Sequence, residues 1–163
     1  MAAKSSQLQV RISAPQKRRL RRLAAVAGQD LSSYVLGRVF PDEAGEFAAM
    51  VGRLAGATDV SFPLAELHDF LDALTPADFG VATESAEVAR LSAFAANYLA
   101  AMVEHVADAK AVPPPAWAGD VPPLDVPYFA TPLKRLRLHL LRAAPAAFKR
   151  RNLFVDSVVG SRV

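Results

Sequence analysis

Polar and apolar residues alternate near the amino end of the chain. The polar members are Gln7, Gln9 and Arg11, and the apolar members are Leu8, Val10 and Ile12. This period of two predicts a strand with one buried face and one polar face. Glutamine forms paired hydrogen bonds with adenine, and arginine does so with guanine, in the major groove of DNA. The spacing therefore predicts a strand that presents base-reading side chains.

The next residues predict two helices that hold this strand in place. Ser13 and Gln16 form a capping-box pattern before a helix from Pro15 to Ala27. Gly28 is a candidate carboxyl-terminal cap, and Asp30 is a candidate amino-terminal cap for a second helix from Leu31 to Phe40. Lys17 and Arg18 begin a run of cations on the polar face of the first helix. The module therefore has an apolar side and a basic side.

A single strand of this length leaves its backbone groups unpaired, so a homodimer with two antiparallel strands is the economical arrangement. The dimer core is then predicted to contain Leu8, Val10, Ile12, Leu20, Leu23, Tyr34 and Val35. The amino end of the second helix, at Ser32 and Ser33, is predicted to offer free amides to a DNA phosphate. Lys4, Lys17 and Arg18 are expected to add phosphate contacts that depend on salt.

The segment QLQVRIS–APQKRRLRRLAAVAGQDLSSYVLGRV resembles the ribbon-helix-helix DNA-binding family, which includes Arc and MetJ. The resemblance implies an obligate dimer, major-groove binding and repression of a promoter. Many members are antitoxins that repress their own operon and hold a toxin with a carboxyl-terminal extension. Residues 42–163 form a longer extension than the usual antitoxin tail. The residues alone also allow a simpler interpretation, in which a strand and two helices belong to an ordinary α+β domain with a solvated basic face.

The rest of the chain predicts a mainly α protein, with a ribbon-helix-helix module at residues 4–40 and a mostly helical domain at 42–163. Helices are predicted at Glu43–Ala55, Pro63–Leu74, from Thr75 onward, at Glu84–Lys110 and at Pro132–Ala144, with a short strand near the end. The second of these helices has a leucine stripe, and the helix at Glu84–Lys110 has a nearly heptad-spaced apolar stripe; they consist of Leu64, Leu67, Leu71 and Leu74, and of Val88, Leu91, Ala95, Tyr98, Met102 and Val106. The net charge of +3 is unevenly distributed. Residues 42–110 are acidic, 112–132 are rich in proline and form a stiff connection, and 133–163 are basic. The basic segment has three open interpretations: neutralisation of the acidic residues of the same chain, docking of an acidic protein, or nucleic-acid binding.

Several classes of function are not indicated. The chain has no cysteine, and His68, His105 and His139 are too widely spaced to predict a metal site. No phosphate-binding loop or nucleophile motif is present, so we expect no enzymatic activity, no metal and no cofactor. The longest uncharged stretch, Leu91–Val103, is too short for a membrane helix, and no apolar leader precedes the module. A cytoplasmic protein without membrane contact is expected.

The sequence as a whole predicts a sequence-specific transcriptional repressor that binds operator DNA as a homodimer. The more specific form of this prediction is the antitoxin of a toxin–antitoxin pair, whose helical domain binds a toxin or another basic protein. The alternative is a non-enzymatic scaffold that uses the first module only to dimerise.

Overall fold

A computed structural model describes residues 9–39 and 42–156 of the chain. The chain divides into two compact units, Met1–Asp42 and Glu43–Val163, which are described separately. We call residues 9–39 the head and residues 43–156 the helical domain. Helices dominate both, so the predicted mainly α class is confirmed.

The first helix of the head, α1, spans Ala14–Val26 and begins at the predicted capping box. The Ser13 amide donates to the Gln16 side-chain oxygen at 2.8 Å, and the Gln16 amide donates to the Ser13 hydroxyl at 3.4 Å. Gly28 ends the helix with a φ of +66°, a left-handed conformation that glycine adopts at little cost. The predicted start and end of this helix are therefore confirmed to within one residue.

The second helix, α2, spans Leu31–Val39. Its amino end follows Asp30, whose carboxylate accepts from the amides of Ser32 and Ser33. This is the N-cap contact that the sequence predicts. Phe40, the last residue of the predicted helix, lies outside the described residues.

The described part of the predicted strand, residues 9–12, is not a strand in the single chain. Residues 9–13 have no regular secondary structure, and Lys4, Gln7 and Leu8 lie outside the described residues. A strand requires a hydrogen-bonded neighbour, and the neighbour that the sequence predicts belongs to a second chain. The strand and its partner therefore stay a prediction.

The helical domain begins with three helices, α3 at Glu43–Gly56, α4 at Ser61–Ala73 and α5 at Pro76–Ala82. The long helix α6 spans Ala93–Lys110 and packs against α4. Four shorter elements follow, namely α7 at Ala116–Asp120, β1 at Tyr128–Phe129, α8 at Lys134–Ala143 and α9 at Ala146–Lys149. The last strand, β2 at Leu153–Phe154, pairs with β1 in parallel.

One core joins these elements, and its largest fully buried side chains come from α3 to α6, α9 and β2. They include Phe47, Leu67, Leu71, Phe79, Leu99, Met102, Phe148 and Leu153. The leucine stripe predicted for α4 faces this core, with Leu64, Leu67, Leu71 and the adjacent Leu74 all buried. The apolar positions predicted within α6 are also core positions.

The prediction of one helix over Glu84–Lys110 is wrong in its first third. A single 3₁₀ turn occupies Val88–Arg90, and α6 starts only after Ser92. Leu91 is extended, and the Ser92 hydroxyl accepts from the Ala95 amide at 3.2 Å, which makes Ser92 the N-cap. A serine at this position competes with helix continuation because its side chain satisfies an amide that otherwise has no partner.

The proline-rich segment, residues 112–132, lies against the domain and is held by side chains from other elements. Prolines lack an amide hydrogen, so the carbonyl groups of such a segment depend on donors elsewhere. Asn97 donates to the Pro122 carbonyl at 3.0 Å, and Asn152 donates to the Leu124 carbonyl at 2.6 Å. Trp117, within α7, donates to the Thr83 carbonyl at 2.8 Å. We call this segment the proline strap, because it is tied to the core and contains a short helix.

Candidate nucleic-acid interface

The basic side of the head is the solvent-exposed face of α1. Its cations are Lys17, Arg18, Arg19, Arg21 and Arg22, all of them exposed. No ion pair among the described residues involves α1. Their charges therefore add to a positive field that attracts polyanions and falls off with salt.

The apolar side of the head is largely uncovered. Ala24 is the one buried residue among residues 9–39. Val10 is 70% exposed, Ile12 42% and Leu23 37%, while Leu20, Tyr34 and Val35 are half-buried. The described members of the predicted dimer core are thus not buried by their own chain. A stable module of this size needs additional apolar burial, which a second chain can supply.

The base-reading residues of the prediction are placed only in part. Gln9 and Arg11 are exposed, whereas Gln7 lies outside the described residues. Arg11 takes part in no ion pair within the described part of the chain. Its guanidinium is therefore available to a ligand in the single chain.

The amides at the amino end of α2 are not free, contrary to the sequence-based expectation. Those of Ser32 and Ser33 donate to one Asp30 carboxylate oxygen at 2.9 and 3.0 Å. The Ser33 hydroxyl donates to the other oxygen at 2.5 Å. Because a carboxylate occupies this position, a phosphate would have to replace one of its contacts and approach its negative charge. Phosphate binding by these two serines stays a prediction.

Arg38 is an exposed cation of the head that was not among the site residues predicted from the sequence. Its guanidinium lies 5.6 Å from the centre of the Tyr34 ring, one helical turn earlier on α2. An arginine four residues after a tyrosine is the signal that could have found this contact. This contact places Arg38 beside a predicted dimer-core residue.

The basic residues near the carboxyl end fall into two groups, and one of them is neutralised within the chain. Arg151 is buried and pairs with Glu104 at 2.6 Å, while Arg150 approaches the other oxygen of Glu104 at 3.2 Å. Arg151 also donates to the carbonyl groups of Ala118 and Val121 in the proline strap. For these two arginines the intramolecular interpretation is confirmed. The cations of α8 form a separate group.

Other kinds of site are not formed by the described residues. Within residues 9–39 and 42–156, no three histidine, aspartate or glutamate side chains are grouped so that they could hold a metal ion. In the same ranges no helix is both long and apolar enough to cross a membrane. A shallow groove lies between α3 and Ser85–Arg90, and small side chains of α3 line much of it.

Comparison of the chain with protein-family models, curated proteins and solved structures gave no match. Functional inference therefore depends on the chemistry and geometry of the chain itself.

Proposed function

We propose that the protein is a DNA-binding transcriptional repressor that dimerises through a ribbon-helix-helix module at residues 4–40. One observation carries this proposal, namely that the head has an uncovered apolar side together with an unpaired basic side. The apolar side requires a partner surface, and a second copy supplies one by symmetry. The basic side attracts polyanions, and double-stranded DNA fits a dimer with a two-stranded ribbon.

In this dimer the ribbon strands pair through residues 7–12, and their apolar side chains pack against α1 and α2 of both chains. Gln7, Gln9 and Arg11 then project from the opposite face into the major groove. Lys4, Lys17 and Arg18 contact phosphates and contribute affinity without sequence preference. Occupation of an operator by the dimer represses the promoter that contains it.

The more specific form of the proposal is an antitoxin that represses its own operon. The helical domain then binds a basic toxin through the acidic surface of residues 42–110. The acidic excess of this segment supports a basic partner, since opposite potentials speed association and exclude partners of the same sign.

The test is fluorescence anisotropy of the full chain on the DNA upstream of its own gene, with scrambled DNA as a control, at about 50 and 200 mM salt. We expect tighter binding to the native DNA at both salt concentrations. Arg11→Ala removes a base contact and should weaken specific binding by about 1–3 kcal/mol, while dimerisation is retained. Arg90→Ala changes an exposed arginine of the helical domain and serves as the matched control.

Three outcomes contradict the proposal in different ways. Equal binding to both DNAs, abolished by salt, would leave a basic face without sequence recognition. A stable dimer with no DNA binding at either salt concentration would favour the alternative of a scaffold that uses its head only to dimerise. Specific binding that Arg11→Ala leaves unchanged would show that the ribbon assignment is wrong.

A further inference from the structure

The helix α8 carries four cations, Lys134, Arg135, Arg137 and Arg142, and no acidic residue. Leu140 is its one buried residue, and the Arg137 guanidinium lies 4.9 Å from the centre of the Phe129 ring. These two contacts attach α8 to the domain. The opposite face remains in solvent, with Leu138 67% exposed and Leu141 42% exposed.

The exposed face of α8 has a defined composition. Lys134, Leu138, Leu141 and Arg142 follow one another at i, i+4, i+7 and i+8, so they lie on one side of the helix. A partner that complements this face offers anionic groups and apolar contact. The domain itself does not, because no ion pair among the described residues involves α8. The contrast is with Arg150 and Arg151, which the same chain neutralises through Glu104.

A face of complementary composition lies on α4 of the same domain. Phe62, Ala65, Asp69 and Asp72 follow at i, i+3, i+7 and i+10 and are exposed, with Phe62 at 72%. The leucines on the other side of α4 are buried, so this stripe is the solvent face of the helix. Among the described residues neither Asp69 nor Asp72 is part of an ion pair, whereas the neighbouring Glu66 pairs with Arg53 at 3.6 Å.

We propose that α8 of one chain docks along the solvent face of α4 of a second copy of this chain. The two stripes carry opposite charges, and both have a large exposed apolar side chain, Leu138 on α8 and Phe62 on α4. They also match in length, since the stripe on α4 spans about 15 Å and the one on α8 about 12 Å at the helical rise. A two-fold axis makes the contact twice, because each chain has one helix of each kind. This contact is independent of DNA binding and of the proposed dimer of the head.

The absence of native cysteine makes a clean cross-linking test possible. One full-length variant carries Ala65→Cys on α4, and a second carries Leu138→Cys on α8. The two are mixed and treated with a short bis-maleimide, and mass spectrometry identifies the joined residues. Each chain has one cysteine, so every cross-link is intermolecular. We expect the 65–138 product to dominate over the product of a control mixture of Leu138→Cys with Ala109→Cys, an exposed position on α6.

Charge reversal then tests the assigned surfaces. Lys134→Glu with Arg142→Glu should reduce the 65–138 product roughly tenfold at low salt, because several exposed ion pairs become repulsive. Asp69→Lys with Asp72→Lys should do the same, and a chain with all four reversals should recover the product. The control Glu84→Lys with Asp108→Lys changes the net charge by the same amount at other exposed positions and should leave the yield unchanged.

Three results would overturn the proposal. Equal yields in the test and control mixtures would indicate random collision. Loss with the α8 reversal but not with the α4 reversal would assign α8 to a different surface. A chain whose α8 reversal leaves cross-linking unchanged but weakens DNA binding would assign α8 to nucleic acid. Because anisotropy and cross-linking are separate readouts, failure of this contact leaves the proposal for the head unaffected.

Discussion

The head and the helical domain have equally regular helices but very different interiors. Both contain a helix capped by a serine, Ser13 for α1 and Ser92 for α6. Ala24 is the buried residue among the described residues of the head, whereas the domain buries large side chains from most of its elements. The difference shows that local signals can complete a helix without completing a core.

The two regions also differ in how they are stabilised. The domain is stabilised mainly by contacts within one chain, whereas the head is expected to need a second chain. The domain buries a core of large side chains and pairs its buried Arg151 with Glu104 by itself, whereas the exposed faces of α4 and α8 are proposed to need a second copy. The head leaves its apolar face exposed and its cations unpaired, so its energetics depend on a partner. The predictions below test that separation, and each compares a change in one region with a matched change in the other or at a neighbouring residue.

The largest loss of stability is expected when the buried arginine of the domain, Arg151, is replaced. Arg151→Met removes the buried one of the two arginines that pair with Glu104, together with the donor to two carbonyl groups of the proline strap. Because buried acceptors and a largely buried carboxylate lose their donor, we expect a loss of about 3–5 kcal/mol in the free energy of unfolding. Urea denaturation followed by circular dichroism measures this change.

Arg150→Met is the matched control for that change, because Arg150 is next in the chain and pairs with the same carboxylate but is exposed. It should cost less than about 1 kcal/mol. If the two variants are equally stable, then Arg151 does not tie the strap to α6, and the domain is less self-sufficient than its contacts indicate.

A second prediction compares an exposed valine that the proposed dimer covers with an exposed valine that it leaves in solvent. Val10 and Val81 are 70% and 67% exposed in the single chain, and they differ in that only Val10 belongs to the predicted dimer core. Val10→Ala should destabilise the head by about 1.5 kcal/mol, and the midpoint of its unfolding should rise with protein concentration. Val81→Ala should change the stability of the domain by less than about 0.5 kcal/mol. Equal, small and concentration-independent effects would contradict dimerisation through the head.

A smaller effect tests whether the two regions unfold independently. Ser13→Ala removes a cap from α1 and should cost the head about 1 kcal/mol, and Ser92→Ala should cost the domain a similar amount. Hydrogen exchange of amides in each region reads the two stabilities separately. We expect each substitution to act on its own region, and a loss of protection in both regions from one substitution would mean that they unfold as one unit.

The predictions from the sequence are confirmed where they depend on residues that are close together along the chain. The capping box at Ser13, the left-handed Gly28 and the leucine face of α4 each depend on residues within one or two turns, and all three are present. The prediction of one helix over Glu84–Lys110 is wrong because apolar spacing continues through Val88 and Leu91, although residues 84–92 contain only a 3₁₀ turn and α6 starts after Ser92. Periodicity reports which side chains are buried and not whether the backbone between them is continuous.

Contacts between segments that are far apart along the chain could not be predicted from the sequence. Nothing in the spacing of Glu104 and Arg151 indicates that they meet, nor that Arg151 donates to the proline strap. The amides of Ser32 and Ser33 are a local case, for which the sequence predicted both capping by Asp30 and free amides for a phosphate. The structure shows the capped state, in which the Asp30 carboxylate accepts from both amides.

The smallest effect on stability near neutral pH is expected for substitution of Tyr98. This effect increases only at alkaline pH. Burial, with a contribution from Tyr128, raises the pKa of the Tyr98 phenol above its ordinary value, since the side chain packs between the rings of Phe94 and Phe148. The folded state therefore holds this proton more tightly than the unfolded state. Its contribution is complete below the unfolded pKa of about 10 and is lost as the pH rises toward the folded value.

Tyr98→Phe should accordingly reduce the loss of domain stability between about pH 9 and pH 11, by at most about 1 kcal/mol per pH unit, with little change at pH 7. The free energy of unfolding of the domain, measured in urea across this range, tests the prediction. Tyr34→Phe changes a tyrosine of the head and should leave the alkaline slope of the domain as it is. An unchanged slope in Tyr98→Phe would show that this phenol is not protected by the core. The interior of the domain would then be more accessible to water than the packing around α6 indicates, and the contrast with the head would be weaker.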